Sequence, residues 1–263
     1  MTDDQPRHNH MLKSIAEQFD LAAVFSQPKS AKRHAGKRAL ELQQPGAKEI
    51  AENIQGFEEA ERRILPASSA GRRLPGNVPV ITVPPGRMND PEKIQKVREL
   101  NPDCIAVFGT GLIKEELLGM DIKFINIHLG LSPWYRGTGG SFWPFYNNEP
   151  EYVGVTVFYL DLGIDSGPII HQSLVDFEDG DWIHDGSVKA ILAGVDQQVK
   201  AIGELADGTI QSHEQDLSIG STFYAKDFDI GELRQVKETW GVERMREYIA
   251  QQDRLKSKID YVR

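Results

Sequence analysis

Asn126 and His128 stand two residues apart at the end of the apolar run Phe124-Ile125-Asn126-Ile127-His128. In a strand that spacing presents both side chains on one side, and open α/β sheets hold their ligands at the carboxyl ends of strands. Downstream, Asp165 lies in the turn Gly163-Ile164-Asp165-Ser166-Gly167-Pro168. A carboxylate held near an imidazole orients it and favours its protonated form, which is the groundwork for proton-transfer chemistry. A structurally satisfied asparagine and histidine give the same local pattern, so the pair alone leaves catalysis and scaffold both open.

Two glycine-bearing stretches surround these residues. Arg136 to Gly140 lets backbone come close to a ligand, and Gly163 to Pro168 is a tight turn. Each is weak as a signal by itself. Their order and spacing together are more specific.

The elements that must position these groups are those of an α/β chain. Apolar runs at Leu21–Phe25, Val80–Val83, Ile105–Phe108 and Phe124–Ile127 alternate with helical spacing, which predicts βαβ units in an open, mainly parallel, Rossmann-like twisted sheet with flanking helices. Asn89 or Asp90 as cap, Pro91 at the first helical position and Ile94, Val97 and Leu100 predict a helix stopped by Asn101-Pro102. After residue 150, Val153–Leu160 and Ile169–Phe177 are β-rich and joined by a turn, so the sheet gains antiparallel or mixed strands there. The stripe Val188, Ile191, Leu192, Val195, Val199, Ile202 and Leu205 predicts a long core-facing helix ended by Asp207-Gly208.

The start departs from this pattern. Met1 to His10 holds neither an apolar strand nor a glycine-rich turn, and the first helix is expected over roughly Met11–Phe19. Either the first strand is missing or something else fills its slot. Residues 1–208 are read as the α/β domain and 209–263 as a largely helical C-terminal extension, which packs on the domain or serves a homo-oligomer contact. Lys29–Arg38 carries five basic residues and reads as a solvated loop or an anion site.

Composition excludes several classes. Of 263 residues, 40% are hydrophobic and 26% charged, which is ordinary for a globular chain, and the net charge of −9 opposes a nucleic-acid partner. No apolar run reaches the roughly 18 residues that a membrane-spanning helix needs, and a cytoplasmic location is expected. The single cysteine, Cys104, sits in an apolar strand as a small packed residue; no Cys-based metal site is expected.

With Asn126-Ile127-His128, Ser132-Pro133, Arg136-Gly137, Gly154-Val155-Thr156 and Leu162 to Ile170 all in place, the sequence resembles the folate-dependent formyltransferase family. That family includes glycinamide ribonucleotide formyltransferase and the catalytic domain of methionyl-tRNA formyltransferase. The resemblance is clearest over Val80–Gly208 and implies that Asn126, His128 and Asp165 are catalytic. It implies 10-formyltetrahydrofolate as formyl donor, bound by Phe108, Gly109, Leu112, Ile113 and by Leu160, Asp161, Gly163 and Ile164, with no metal. Arg136 and Gly137 are then expected on the substrate side, and Trp134, Phe142 and Trp143 either stack on the acceptor or pack in the core. The acceptor is expected to be a primary amine on a small molecule. A hydrolase using the same donor site and a non-catalytic homologue that binds folate or a partner are the alternatives, the latter motivated by the unfilled first strand.

Overall fold

The computed structural model describes residues 1–28, 45–71, 74 and 76–262; the basic stretch 29–38 lies outside them. Strands β1 (Val24–Ser26) and β2 (Val80–Thr82) pair in parallel, as do β3 (Cys104–Phe108) and β4 (Lys123–His128). Beyond β4 the sheet turns antiparallel. A three-residue strand, β5 (Tyr135–Gly137), leaves the sheet, and β6 (Gly154–Tyr159) and β7 (Ile169–Leu174) complete the order β3-β4-β6-β7. The expected change of strand direction after residue 150 is therefore present.

The missing first strand is corrected by the structure. Thr2 bridges in parallel to both Ser26 and Phe108, so the first residues occupy the slot between β1 and β3. Thr2 N donates to Phe25 O at 2.9 Å, Gln27 N to Thr2 O at 2.7 Å and Phe108 N to Met1 O at 3.1 Å. The stub is too short to show a strand pattern in sequence. Helix α1 follows at once over Pro6–Ala16, with Pro6 at its first turn, and so begins earlier than the apolar spacing suggested.

Strand alternation sorts the two faces. Ile125 and Ile127 of β4 join the core formed with Val155 and Val157 of β6 and Val188, Ile191 and Val195 of a long helix. Phe124 faces the other way, with Ile105 and Val107 of β3 and Ile94 and Val97. Those last two lie on α3 (Pro91–Leu100), which starts after Asp90 with Pro91 in its first turn and is stopped by Asn101 in the left-handed region, as its sequence predicts; the Asp90 side chain makes no capping hydrogen bond. Helix α2 (Ala47–Ile64) and the long helix α4 (Ile183–Ala206) cover the first face together with α1. Asn126 and His128 therefore share a side with Phe124, but sit at the strand's open end.

Residues 209–263 are joined to the rest at several points. Strand β8 (Ser221–Phe223) pairs in parallel with β5, His213 bridges Ile169, and Val262 and Gln172 exchange hydrogen bonds. Helices α5 (Ile230–Thr239) and α6 (Val242–Ile249) turn Val236, Trp240, Met245 and Tyr248 into the main core. Their apolar stripe packs on the domain. Among the described residues no helix is long and apolar enough to cross a membrane, and no group of His, Cys, Asp and Glu is arranged to hold a metal ion. Cys104 opens β3 half-buried, and burial pushes its thiol up.

Candidate active site

The carboxyl ends of β3 and β4 open into a cleft of about 950 Å³, within the size range of small-molecule sites. Asn126, His128 and Asp165 all line it. β4 supplies the first two, in register with Phe158 and Thr156 of β6, and the β6–β7 turn supplies the third. His128 Nδ1 lies 3.2 Å from Asp165 Oδ2, and its Nε2 lies 2.8 Å from the Tyr135 carbonyl. A carbonyl accepts only, so Nε2 must carry a hydrogen. The carboxylate on the opposite side also accepts. Both ring nitrogens therefore face acceptors, which fixes the orientation of the imidazole at the end of β4.

Asp165 is itself held closely. The Gly137 N–H donates to Oδ2 at 2.8 Å, and the backbone of Asp165 adopts φ 49°. The turn around it is tied by Ser166 Oγ, which donates to both carboxylate oxygens of Asp161 at 3.0 and 2.8 Å. Asn126 differs from its two partners: it is half-buried and its side chain hydrogen-bonds to none of the described residues, so its amide is available to a ligand.

The loop after His128 is fixed from beneath. Thr156 Oγ1 donates to Gly130 O at 2.8 Å and accepts from Ser132 N at 2.9 Å, while Gln172 Nε2 donates to Ser132 O at 2.5 Å. Gly137 has φ 85°, and a Cβ there would stand 2.1 Å from the Phe223 carbonyl of β8. Gly137→Ala is therefore expected to push β5 and β8 apart and cost about 2 kcal/mol or more. Thermal melts check this, and an unchanged Tm would show that the close approach is not needed. The ring of Phe223 lies stacked between Tyr135, at 5.8 Å, and Trp143, at 4.6 Å. Burial, then the Glu149 carboxylate at 2.5 Å, hold the Tyr135 phenol well above its usual range, so it stays a neutral donor.

The expected donor-pocket residues also meet here. Phe108, Gly109, Leu112 and Ile113 line the cleft from the end of β3, and Leu160, Asp161, Gly163 and Ile164 line it from the β6–β7 turn. Leu112 and Leu162 are 78% and 67% exposed, an apolar mouth of the kind that marks a binding site. Gly137, Phe142 and Trp143 line it too. Arg136 does not. It pairs with Thr222 in the β5–β8 ladder and is buried, with its Nε lacking a hydrogen-bond partner, because neighbours on a strand face opposite ways and Gly137 takes the cleft side. Trp134 is likewise outside the cleft, packed at 5.6 Å from Tyr152.

Sequence reading missed the opposite wall. Arg7 and His8 of α1, Asn53 and Phe57 of α2, His184 and Ser187 of α4 and Lys237 of α5 all reach the cleft. Burial pushes the His184 imidazole down, favouring its neutral form. The spacing Ile50, Ile54, Phe57 could have marked α2 as amphipathic, but no local signal links four distant helices to one pocket.

Comparison with known proteins agrees with the fold. Residues 5–185 match the family described as formyl transferase. Methionyl-tRNA formyltransferase of Clostridium novyi (strain NT) is 29% identical over 220 residues, covering 83% of this chain and 62% of that protein. The Clostridium botulinum (strain Alaska E43 / Type E3) protein of the same name is 33% identical over 143 residues, 54% of this chain and 45% of that one. The chain thus spans about half the length of the curated relatives it matches. Phosphoribosylglycinamide formyltransferase from Anaplasma phagocytophilum superposes with a TM-score of 0.52 at 18% identity, over 85% of this chain and 96% of that one, a likeness of fold. With the family match covering more than half of its residues, the chain belongs to the formyl transferase family.

Proposed function

We propose that the chain transfers a formyl group from 10-formyltetrahydrofolate to a primary amine of a small-molecule acceptor. The observation that carries this reading is the meeting of Asn126, His128 and Asp165 on one cleft, with Asp165 Oδ2 3.2 Å from His128 Nδ1. The residues present fit the donor: a large cleft with an apolar mouth, and an asparagine amide with no partner among the described residues. 10-Formyltetrahydrofolate supplies the formyl carbon, which exchanges its bond to the folate nitrogen for one to the acceptor amine.

Negative charge grows on the formyl oxygen during that exchange, and Asn126 Nδ2 donates to it. His128 stabilises the same charge at close range. Its Nε2 is committed to the Tyr135 carbonyl, so the nitrogen that faces Asp165, Nδ1, is the one through which it acts. Asp165 is the group positioned to accept a proton from the attacking amine and return it toward the departing nitrogen. The remaining wall, with Phe57, His184 and Lys237, faces the acceptor. A small-molecule acceptor is favoured over a nucleic acid by the net charge of −9. The turn Asp3-Asp4-Gln5-Pro6 stands where a glycine-rich phosphate loop would open the fold, which speaks against a phosphate held there. Met1–Asp3 fill the first strand's slot, which removes the motive for a non-catalytic homologue.

The test is turnover of 10-formyltetrahydrofolate, followed by absorbance, with and without a fractionated pool of small cellular amines. Turnover confined to one amine fraction is the expected result. Equal turnover without any amine would make the chain a hydrolase instead.

A further inference from the structure

The geometry points to Gln215 as a positioning residue, one that holds Asp165 in the conformation from which its carboxylate meets His128. This rests on the proposed role of Asp165. At φ 49°, Asp165 occupies the left-handed region that non-glycine residues visit uncommonly, and beyond its own Ser166–Asp161 contacts the turn has support from outside itself. Gln215 supplies it. Its Nε2 donates to the Asp165 carbonyl at 3.0 Å and to the Gly167 carbonyl at 2.7 Å, bracketing the turn. Ser132 Oγ also approaches the Asp165 carbonyl, but at 3.5 Å, the limit of a useful hydrogen bond.

Two carbonyls need a donor, which settles the direction of the amide. The cost is visible on the other atom, since Gln215 Oε1 is buried without a partner. The side chain reaches the turn because His213 exchanges both backbone hydrogen bonds with Ile169, each at 2.8 Å, anchoring the strand-like segment two residues earlier. Gln215 lies outside residues 5–185 matched by the family, so the clamp comes from the part of the chain that the family pattern does not cover. A loop that set Asp165 by its own sequence would not need it.

Two substitutions separate positioning from scaffold. Gln215→Met keeps the length and removes the donor; Gln215→Glu keeps the shape and turns an acceptor toward two carbonyls. With 10-formyltetrahydrofolate and the amine fraction that supports turnover, Gln215→Met is expected to lower kcat about 10- to 100-fold, the scale of a small misplacement at a reacting centre. KM for the folate and Tm should stay near wild type, and Gln215→Glu should lower kcat further. The low-field proton resonance of the His128–Asp165 contact should shift in Gln215→Met without any substrate present. Wild-type kcat and an unmoved resonance in Gln215→Met, beside a strongly impaired Asp165→Asn, overturn the role of Gln215 alone. Wild-type kcat in Asp165→Asn overturns the reading beneath it. A fall in Tm with kcat per folded molecule unchanged also overturns the inference, because that is how a scaffold residue behaves.

Discussion

Asp165→Asn is expected to lower formyl transfer by about 10²- to 10⁴-fold, in line with the loss of a transition-state interaction. The carboxylate does two things that an amide cannot do together. Its Oδ2 accepts from the Gly137 N–H at 2.8 Å while facing His128 Nδ1 at 3.2 Å. An amide oxygen can keep the first contact, but the negative charge facing Nδ1 is gone, and with it the group that accepts the proton of the amine. Folding should survive, because the turn is held through the Asp165 and Gly167 carbonyls and through the Ser166–Asp161 contacts, none of which needs the Asp165 side chain. Folate affinity should stay close to wild type. Turnover, folate binding and a melt together check the prediction; a large loss of Tm with normal turnover per folded molecule would reduce Asp165 to a structural residue. His128→Ala makes a useful contrast. It should abolish transfer with the chain still folded, yet cost stability as well, about 1 to 3 kcal/mol, since it leaves the buried Tyr135 carbonyl without its donor.

Asn126→Leu should separate function from scaffold more cleanly. The asparagine side chain makes no hydrogen bond to the described residues, so replacing it with an apolar group of similar size breaks nothing in the resting protein. Stability is expected to hold or rise slightly. Turnover should fall by about 10²- to 10³-fold, the cost of one lost donor to a developing oxyanion. Because that contact strengthens as charge develops, the loss should appear in kcat and leave KM for the folate little changed. An undiminished kcat would show that the formyl oxygen is held elsewhere, and the assignment of Asn126 would have to be abandoned.

Much of the fold was legible because its signals are local. Helix α3, the apolar strands β3 and β4, and the turn-linked pair β6 and β7 each follow from residues within about 20 positions. The period of a strand puts Asn126 and His128 on one side wherever the strand lies. The first strand was not legible, since Met1–Asp3 are too few to carry a period, and only pairing with β1 and β3 on both sides makes them part of the sheet. Arg136 failed for a related reason: in a three-residue strand the choice of which neighbour faces the cleft is made by the partner, and β8 pairs from 86 residues later.

Sequence by itself determined the chemistry on offer: an amide, an imidazole and a carboxylate in fixed order, with glycines where backbone must come close. Tertiary structure alone decided their arrangement. It brought Asp165 against Nδ1, spent Nε2 on the Tyr135 carbonyl, left the Asn126 side chain unbonded by the described residues and placed Gln215 under the turn. It also built the opposite wall of the cleft from α1, α2, α4 and α5. Residue types and short-range periods are written in the chain, whereas hydrogen-bond partners separated by 28 or 50 positions depend on how packed elements meet.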